Sequence, residues 1–116
     1  MSENNIKIAE NYYKAMGKKD INEIASYLQP NARLKSPFTE IEGKDKMLEA
    51  IKGFMTSFDS LNITAKFGSV DGAMLAFDMK YPEPIGSIRA SSLVAINDGL
   101  ISSIELFFDA RVFEKK

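Results

Sequence analysis

Tyrosine, serine, lysine, arginine and carboxylate side chains must carry any acid–base or nucleophilic chemistry that this chain performs. Its 116 residues include no histidine and no cysteine. A Ser–His–Asp triad, a thiolate nucleophile and a metal site built on histidine or cysteine ligands are therefore excluded. No metal or other cofactor is implied. A serine without a neighbouring base accepts protons poorly at neutral pH, so tyrosine, arginine and carboxylates are the stronger candidates.

The charge balance argues against a nucleic-acid partner. Fifteen basic side chains stand against 16 acidic ones, for a net charge of −1. A nucleic-acid-binding domain usually carries a clear basic excess. No apolar run is long enough to cross a membrane, and residues 1–5 lack the pattern of a signal peptide, so we expect a cytoplasmic protein. The length predicts one domain over residues 1–116.

Three helices are predicted from apolar residues at three- and four-residue spacing. The first carries an apolar stripe with Tyr12 beside it and ends near Gly17. The second begins at a capping box over residues 20–23 and ends at Pro30. The third follows Gly43. The stripe of the first helix is Ile6, Ala9, Tyr13 and Met16, and the third helix contributes Met47, Leu48, Ile51, Phe54, Met55 and Phe58.

The remaining segments alternate with period two, which is typical of strands. A short strand is predicted over 32–36, and longer ones over 61–67, 73–79, 86–96 and 100–108. Asp71-Gly72 and Asn97-Asp98-Gly99 are tight-turn signals between them. The predicted order α-α-β-α-β-β-β-β indicates an α+β fold, with the helices covering one face of a mostly antiparallel sheet.

Several segments resemble the nuclear transport factor 2-like superfamily and its SnoaL-like domains, whose relatives include ketosteroid isomerase, limonene-epoxide hydrolase and polyketide cyclases. The matching segments are Tyr12–Met16 with Asp20-Ile21, Pro30–Ala32 with Ser36–Phe38, Gly43–Met47, and Ile104–Arg111. The resemblance implies a cystatin-like, cone-shaped curved sheet wrapped around the long first helix, with a deep pocket inside. It also implies a homodimer, because many members associate through the outer face of the sheet.

The resemblance also places site residues. Tyr12 falls where ketosteroid isomerase has its oxyanion-hole tyrosine, while the two catalytic aspartates of that enzyme fall at Ser36 and about Ser91. Because both carboxylates are replaced by hydroxyls, steroid-isomerase chemistry of the known kind is disfavoured. The hydrolases of the superfamily need an arginine between two acids, and Arg89 could be such an arginine. Tyr12 and Arg89 are therefore the candidate catalytic residues.

Strand alternation supplies the predicted pocket wall. On the strand after Asp71-Gly72, Leu75, Phe77, Met79 and Tyr81 should face the helices. On the next strand two sets compete. The family register places Ser87, Arg89, Ser91, Leu93 and Ala95 inward, and Ile88, Ala90, Ser92, Val94 and Ile96 outward with Phe107, as an apolar dimer face. Ile104, Leu106 and Phe108 should point inward. The candidate ligand-binding residues are Ser36, Phe54, Phe58, Leu75, Phe77, Met79, Tyr81, Ser91, Leu106 and Phe108.

Three functions fit this sequence. The first is a small-molecule pocket protein of undetermined chemistry, which binds a mostly apolar ligand with a polar or anionic end; Arg89 would balance an anion. The second is an isomerase, cyclase or hydrolase that acts on a small hydrophobic substrate by acid–base chemistry. The third is a non-catalytic dimerisation or interaction module. The pocket protein requires the fewest assumptions about reacting groups, because no inward carboxylate is evident.

Overall fold

Residues 2–113 form three helices, six strands and a terminal 3₁₀ turn in the computed structural model, which describes this part of the chain. The α+β prediction is confirmed. The helices are α1 (Ser2–Lys18), α2 (Ile21–Ser26) and α3 (Lys44–Met55), with the 3₁₀ helix at Ala110–Phe113. The strands are β1 (Leu28–Lys35), β2 (Glu40–Glu42), β3 (Ser60–Gly68), β4 (Gly72–Lys80), β5 (Ser87–Asn97) and β6 (Leu100–Phe107).

The six strands form one curved sheet in the order β2-β1-β6-β5-β4-β3. The β1–β6 pair is parallel, and every other neighbouring pair is antiparallel. Helix α1 packs across β3 and β4, and α3 packs against β1. Ala9, Tyr13 and Met16 of the apolar stripe of α1 are buried, as its spacing predicts, and Ile6 is half-buried. No helix within residues 2–113 is both long and apolar enough to span a membrane.

The turn between β5 and β6 is the one that the sequence predicts. Asp98 and Gly99 have φ angles of 55° and 78°. Two consecutive left-handed residues match the twist of a two-residue hairpin, and aspartate and glycine are the residue types that tolerate this conformation. This turn fixes the register in which β6 returns beside β5.

The end of α1 differs from the prediction, because the helix continues past Gly17. Lys19 adopts a left-handed φ of 62° and donates its N–H to the carbonyl of Met16 at 3.1 Å. Asp20 then caps α2, since its Oδ1 accepts the N–H of Glu23 at 3.1 Å. The predicted cap at residue 20 is confirmed, whereas the left-handed residue is Lys19 and not the glycine.

Strand β1 begins earlier than predicted, and β2 was not predicted. Helix α2 ends at Ser26, so Pro30 lies inside β1 and does not terminate the helix. The pairing of β1 with β6 is irregular between Leu28 and Arg33. This irregularity is where a proline, which has no N–H to donate, can be accommodated in the ladder. Strand β2 has three residues and is too short to show a period.

Strand β5 faces the opposite way from the expectation based on the family register, which is wrong here. Phe77 is paired with Ala90, and Met79 with Ile88. Because directly paired residues share a face of the sheet, the buried β4 side chains bring these β5 residues inward. The buried set is Ile88, Ala90, Ser92, Val94 and Ile96, whereas Ser87, Arg89, Ser91, Leu93 and Ala95 point to the outer face.

Candidate functional site

A cavity of about 400 Å³ lies between α1, α3 and the inner face of the sheet. Helix α1 contributes Tyr12, Tyr13 and Met16, and helix α3 contributes Ala50, Ile51 and Phe54. The sheet and the loops supply the remaining wall: Leu34, Ser36, Phe38, Thr39, Ile41, Ser57, Phe77, Met79, Tyr81, Ile85, Ile88, Ala90, Leu106 and Phe108. Most of these side chains are apolar. The volume lies within the range of small-molecule sites, roughly 300–1,000 Å³.

Three tyrosines line this cavity, and their hydroxyls differ in whether they have a hydrogen-bond partner. The Tyr13 hydroxyl donates to Oγ of Ser92 at 2.6 Å. The Tyr81 hydroxyl is hydrogen-bonded to the side chain of Ser57. The Tyr12 hydroxyl, by contrast, makes no hydrogen bond to any residue within 2–113, although the residue is only 2% exposed.

The Tyr12 hydroxyl opens onto the cavity. Within the described chain, every fully inaccessible side-chain nitrogen or oxygen has a hydrogen-bond partner. The Tyr12 oxygen has none, so it retains contact with the cavity space that its side chain lines. Its ring is held edge-on against the ring of Tyr13, with centroids 4.8 Å apart. A ligand in the cavity would therefore meet a positioned, unused hydroxyl.

Burial favours the neutral, protonated form of these tyrosines. Desolvation raises the pKa of Tyr12 well above 10, and the neighbouring Tyr13 adds to the effect. Burial likewise raises the pKa of Tyr13, although the hydrogen bond with Ser92 opposes the shift. The pKa of Tyr81 is raised by burial as well, against the hydrogen bond with Ser57. All three are neutral phenols, and Tyr12 has an O–H to donate to a bound molecule.

The turn between β1 and β2 forms one edge of the cavity mouth. Ser36 Oγ accepts the N–H groups of Phe38 and Thr39 at 3.2 and 3.3 Å. The Ser36 N–H donates to the carbonyl of Thr39 at 2.9 Å. The Phe38 ring, 56% exposed, packs against Phe108 with centroids 5.5 Å apart. The hydroxyl of Ser36 thus holds a turn that presents an aromatic side chain at the rim.

The profile of the SnoaL-like domain matches residues 9–104. The chain belongs to the SnoaL-like domain family. No match is found among curated protein sequences.

Solved structures share the fold of this SnoaL-like domain. A protein from Kribbella flavida aligns with a TM-score of 0.88 at 21% identity, covering 94% of this chain and 89% of that one. A proposed ketosteroid isomerase from the same organism gives 0.85 at 18% identity, over 93% and 79% of the two chains. An LEH-like epoxide hydrolase from M. tuberculosis gives 0.81 at 13%, over 97% and 89%. These similarities establish the fold and leave the activity to be argued from the site.

Most of the side chains expected to line the pocket of the SnoaL-like domain do so. Tyr12, Ser36, Phe54, Phe77, Met79, Tyr81, Leu106 and Phe108 border the cavity. Phe58 and Leu75 are almost fully buried, but they belong to the core and not to the cavity wall. Phe58 packs against Phe54, with ring centroids 5.2 Å apart, and so supports the wall.

Arg89 and Ser91 lie outside the cavity, so the expectation that they face it is wrong. The Arg89 side chain is 78% exposed, and its Nε lies 3.0 Å from Oδ1 of Asp78 on the neighbouring strand. The reason is the reversed register of β5, which turns both residues to the outer face. The hydrogen bond and charge of Asp78 raise the pKa of Arg89, which is the behaviour of a surface ion pair. Arg89 therefore gives no support to the hypothesis that the ligand has an anionic end.

Several lining residues were not predicted. Ile88 and Ala90 belonged to the set that the family register placed outward, and they line the cavity in the structure. Their apolar character relative to Arg89 and Ser87 was the signal that could have found them. Tyr13 lies on the predicted apolar stripe of α1, whose spacing predicts burial but does not distinguish a core position from a cavity wall. Ile85 and Thr39 stand in loops, where no periodicity indicates the direction of a side chain.

Proposed function

We propose that this SnoaL-like domain binds a small, mostly apolar molecule in the cavity between α1, α3 and the sheet. The observation that supports this most strongly is the apolar cavity of about 400 Å³ into which a positioned, unpartnered Tyr12 hydroxyl opens. A mostly apolar wall with a few placed polar groups is the usual composition of a small-molecule site. A ligand would cover this apolar surface, which water otherwise wets at a free-energy cost.

Binding without catalysis is the proposal that the side chains favour. Among the lining residues of the described chain, none is Asp, Glu, Lys or Arg. An acid–base reaction near neutral pH needs a group that can accept a proton, and tyrosines with raised pKa values are poor acceptors. The polar groups present are hydroxyls, which can orient a ligand.

An acid–base enzyme is the second candidate. The Tyr12 hydroxyl favours it, because a phenol can stabilise developing negative charge on a substrate oxygen. The solved neighbours named as a proposed isomerase and as an epoxide hydrolase are consistent with such a role. Proton exchange separates the two candidates. A bound methyl ketone incubated in D₂O should gain deuterium beside its carbonyl only if the protein supplies a base; we expect no gain over buffer.

The binding proposal is tested with N-phenyl-naphthylamine, an uncharged dye whose emission rises in apolar surroundings. Ala50 borders the cavity from α3, whereas Glu49 on the same helix is exposed. Ala50→Phe should fill the cavity and lower dye affinity by about tenfold or more. Glu49→Phe adds the same side chain on the solvent side and should leave affinity near the wild-type value. Equal affinities in all three proteins would refute binding in this cavity.

We further propose that a second copy of the chain covers the outer face of the sheet. Four exposed apolar side chains of the described strands lie there: Phe67, Met74, Leu93 and Phe107, exposed by 70%, 40%, 48% and 42%. Met74 is paired directly with Leu93, and Phe107 is paired with Ser91, the next outward residue along β5. An exposed apolar cluster on a sheet face favours association, and a twofold pair buries the same residues from both copies.

A further inference from the structure

We infer that Phe38 and Phe108 form an aromatic gate at the mouth of the cavity, and that Phe38 swings on its turn to let a ligand pass. This inference rests on the proposed binding function and concerns how entry to that same cavity is controlled. It follows from where the two rings lie, from the way the turn of Phe38 is held, and from the depth of the cavity behind them.

The fold places both rings at one end of the sheet. Strands β1 and β6 are parallel neighbours, and Lys35 is paired with Glu105. The chain therefore leaves both strands at the same end of the sheet, and Phe38 and Phe108 each follow three residues after this pair. Their ring centroids are 5.5 Å apart and their planes are tilted by 54°, which is the geometry of an aromatic pair.

The turn that carries Phe38 can move without disturbing the core. It joins β1 to β2, a strand of three residues that pairs with β1 at the edge of the described sheet. Within the turn, Ser36 Oγ accepts the N–H groups of Phe38 and Thr39, and these bonds hold the turn as one unit. Phe38 is 56% exposed, so a swing of this unit uncovers little buried surface.

The cavity behind the gate is deep. Tyr12 lies on its wall and is only 2% exposed, whereas Thr39 and Ser57 on the same wall are exposed. A ligand that reaches Tyr12 therefore enters past the exposed residues, where Phe38 and Phe108 cover part of the passage while their rings are in contact. The free energy of an aromatic pair corresponds to about two- to tenfold in an equilibrium, so the closed form predominates and opening is frequent.

A gate and a wall contact differ in their effect on the rate of ligand entry. If a ligand enters only while the gate is open, the association rate constant is proportional to the open fraction of the protein. A residue that only contacts the bound ligand acts mainly on the dissociation rate constant. The association rate constant therefore tests the role of Phe38.

Stopped-flow fluorescence of N-phenyl-naphthylamine measures both rate constants. Phe38→Ala removes the swinging ring and should raise the association rate constant by about threefold or more. Phe77, which is 1% exposed, supplies the control on the wall behind the gate. Phe77→Leu should change the dissociation rate constant and leave association within about twofold of the wild-type value. Unchanged association in Phe38→Ala, or an equal increase in both variants, would overturn the gate.

Ser36→Ala distinguishes a moving gate from a fixed obstruction. This substitution keeps both rings and removes the oxygen that accepts the N–H groups of Phe38 and Thr39. A loosened turn raises the open fraction, so association should be faster by about twofold or more. Association at the wild-type rate in Ser36→Ala, together with a raised rate in Phe38→Ala, would indicate a fixed obstruction and overturn the swing of Phe38.

The outcome for the gate is separate from the outcome for binding. Saturable dye binding with an association rate that is insensitive to Phe38→Ala would overturn the gate alone. Absence of saturable dye binding in the wild-type protein would overturn the proposed function, and the gate with it. Phe38 is exposed and Ser36 lies in a turn, so both variants should fold, and circular dichroism verifies this before the rates are compared.

Discussion

The hydroxyl of Tyr13 donates a hydrogen bond of 2.6 Å to Oγ of Ser92 and so joins α1 to β5 beside the cavity. Both residues are buried, at 2% and 0% exposed. The same helix turn holds Tyr12, whose ring packs edge-on against that of Tyr13. The buried pair thus fixes α1 relative to the sheet and positions the neighbouring hydroxyl that remains available to a ligand.

Removal of the Ser92 hydroxyl should destabilise the protein. Ser92→Ala leaves the Tyr13 O–H buried without its partner, which we expect to lower the free energy of unfolding by about 1–3 kcal/mol. Urea denaturation followed by circular dichroism measures this change. Ser91→Ala, on the outer face of the same strand, is the matched control and should change stability by less than about 0.5 kcal/mol. Equal effects of the two substitutions would contradict the assigned bond.

Stability should fall in alkaline solution. The pKa values of Tyr12, Tyr13 and Tyr81 are raised above 10.0, mainly by burial, and that of Tyr27 is raised mainly by its hydrogen bond to Glu23. A folded-state pKa above the unfolded value gives stability that is fully present below pH 10 and is lost as pH rises through the raised values. The change in ultraviolet absorbance on phenolate formation measures the titration. The native protein should show less phenolate than the urea-unfolded chain just above pH 10; coincident titration curves would contradict the assignment.

Arg89 should be dispensable for ligand binding. Arg89→Met removes an exposed ion pair with Asp78 on the face opposite the cavity. Affinity for N-phenyl-naphthylamine should stay within about twofold of the wild-type value, because surface ion pairs contribute little and no cavity contact changes. Fluorescence titration measures this, with Ala50→Phe as the control that does reduce binding. A large loss of affinity in Arg89→Met would indicate that the cavity is not the site.

Association through the outer face should depend on Leu93. Leu93→Lys places a charge in the centre of the exposed apolar cluster and opposes burial against a second copy. Sedimentation should give about twice the 12.9 kDa chain mass for the wild type and the single-chain mass for the variant. Val70, 77% exposed at the β3–β4 turn, supplies the control, since Val70→Lys should leave the dimer intact. A monomeric wild-type protein at micromolar concentration would refute the proposed interface.

The sequence predicted where the helices and strands lie better than it predicted which face of each strand points inward. The apolar stripe of α1 and the alternation of β4 predict which side chains are buried, and Tyr13, Phe77 and Met79 lie inside as expected. For β5, the apolar residues themselves favoured Ile88 and Ile96 on the inner face. The register carried over from the family reversed that choice, and a reversal by one residue moves every side chain of a strand to the other face.

The open cavity could not be predicted from residue types. Its lining side chains are of the same types as those that fill a core. Whether they leave a cavity between them depends on the curvature of the sheet and on the volumes of the side chains. Which of the three tyrosine hydroxyls has a hydrogen-bond partner is also decided only in the folded chain. Tyr13 and Tyr81 bond to Ser92 and Ser57, which lie 80 and 45 residues after Tyr12 in the sequence.

Methionine methyl groups provide the most direct test of ligand binding in this cavity. Met16 and Met79 line it, whereas Met74 lies exposed on the outer face of the same strand as Met79. In a protein labelled with ¹³C at the methionine methyls, ethylnaphthalene should shift the Met16 and Met79 signals in a saturable manner, because an aromatic ring enters their surroundings. The Met74 signal should stay in place. Unchanged Met16 and Met79 signals at saturating ligand, or a saturable shift confined to Met74, would contradict the account.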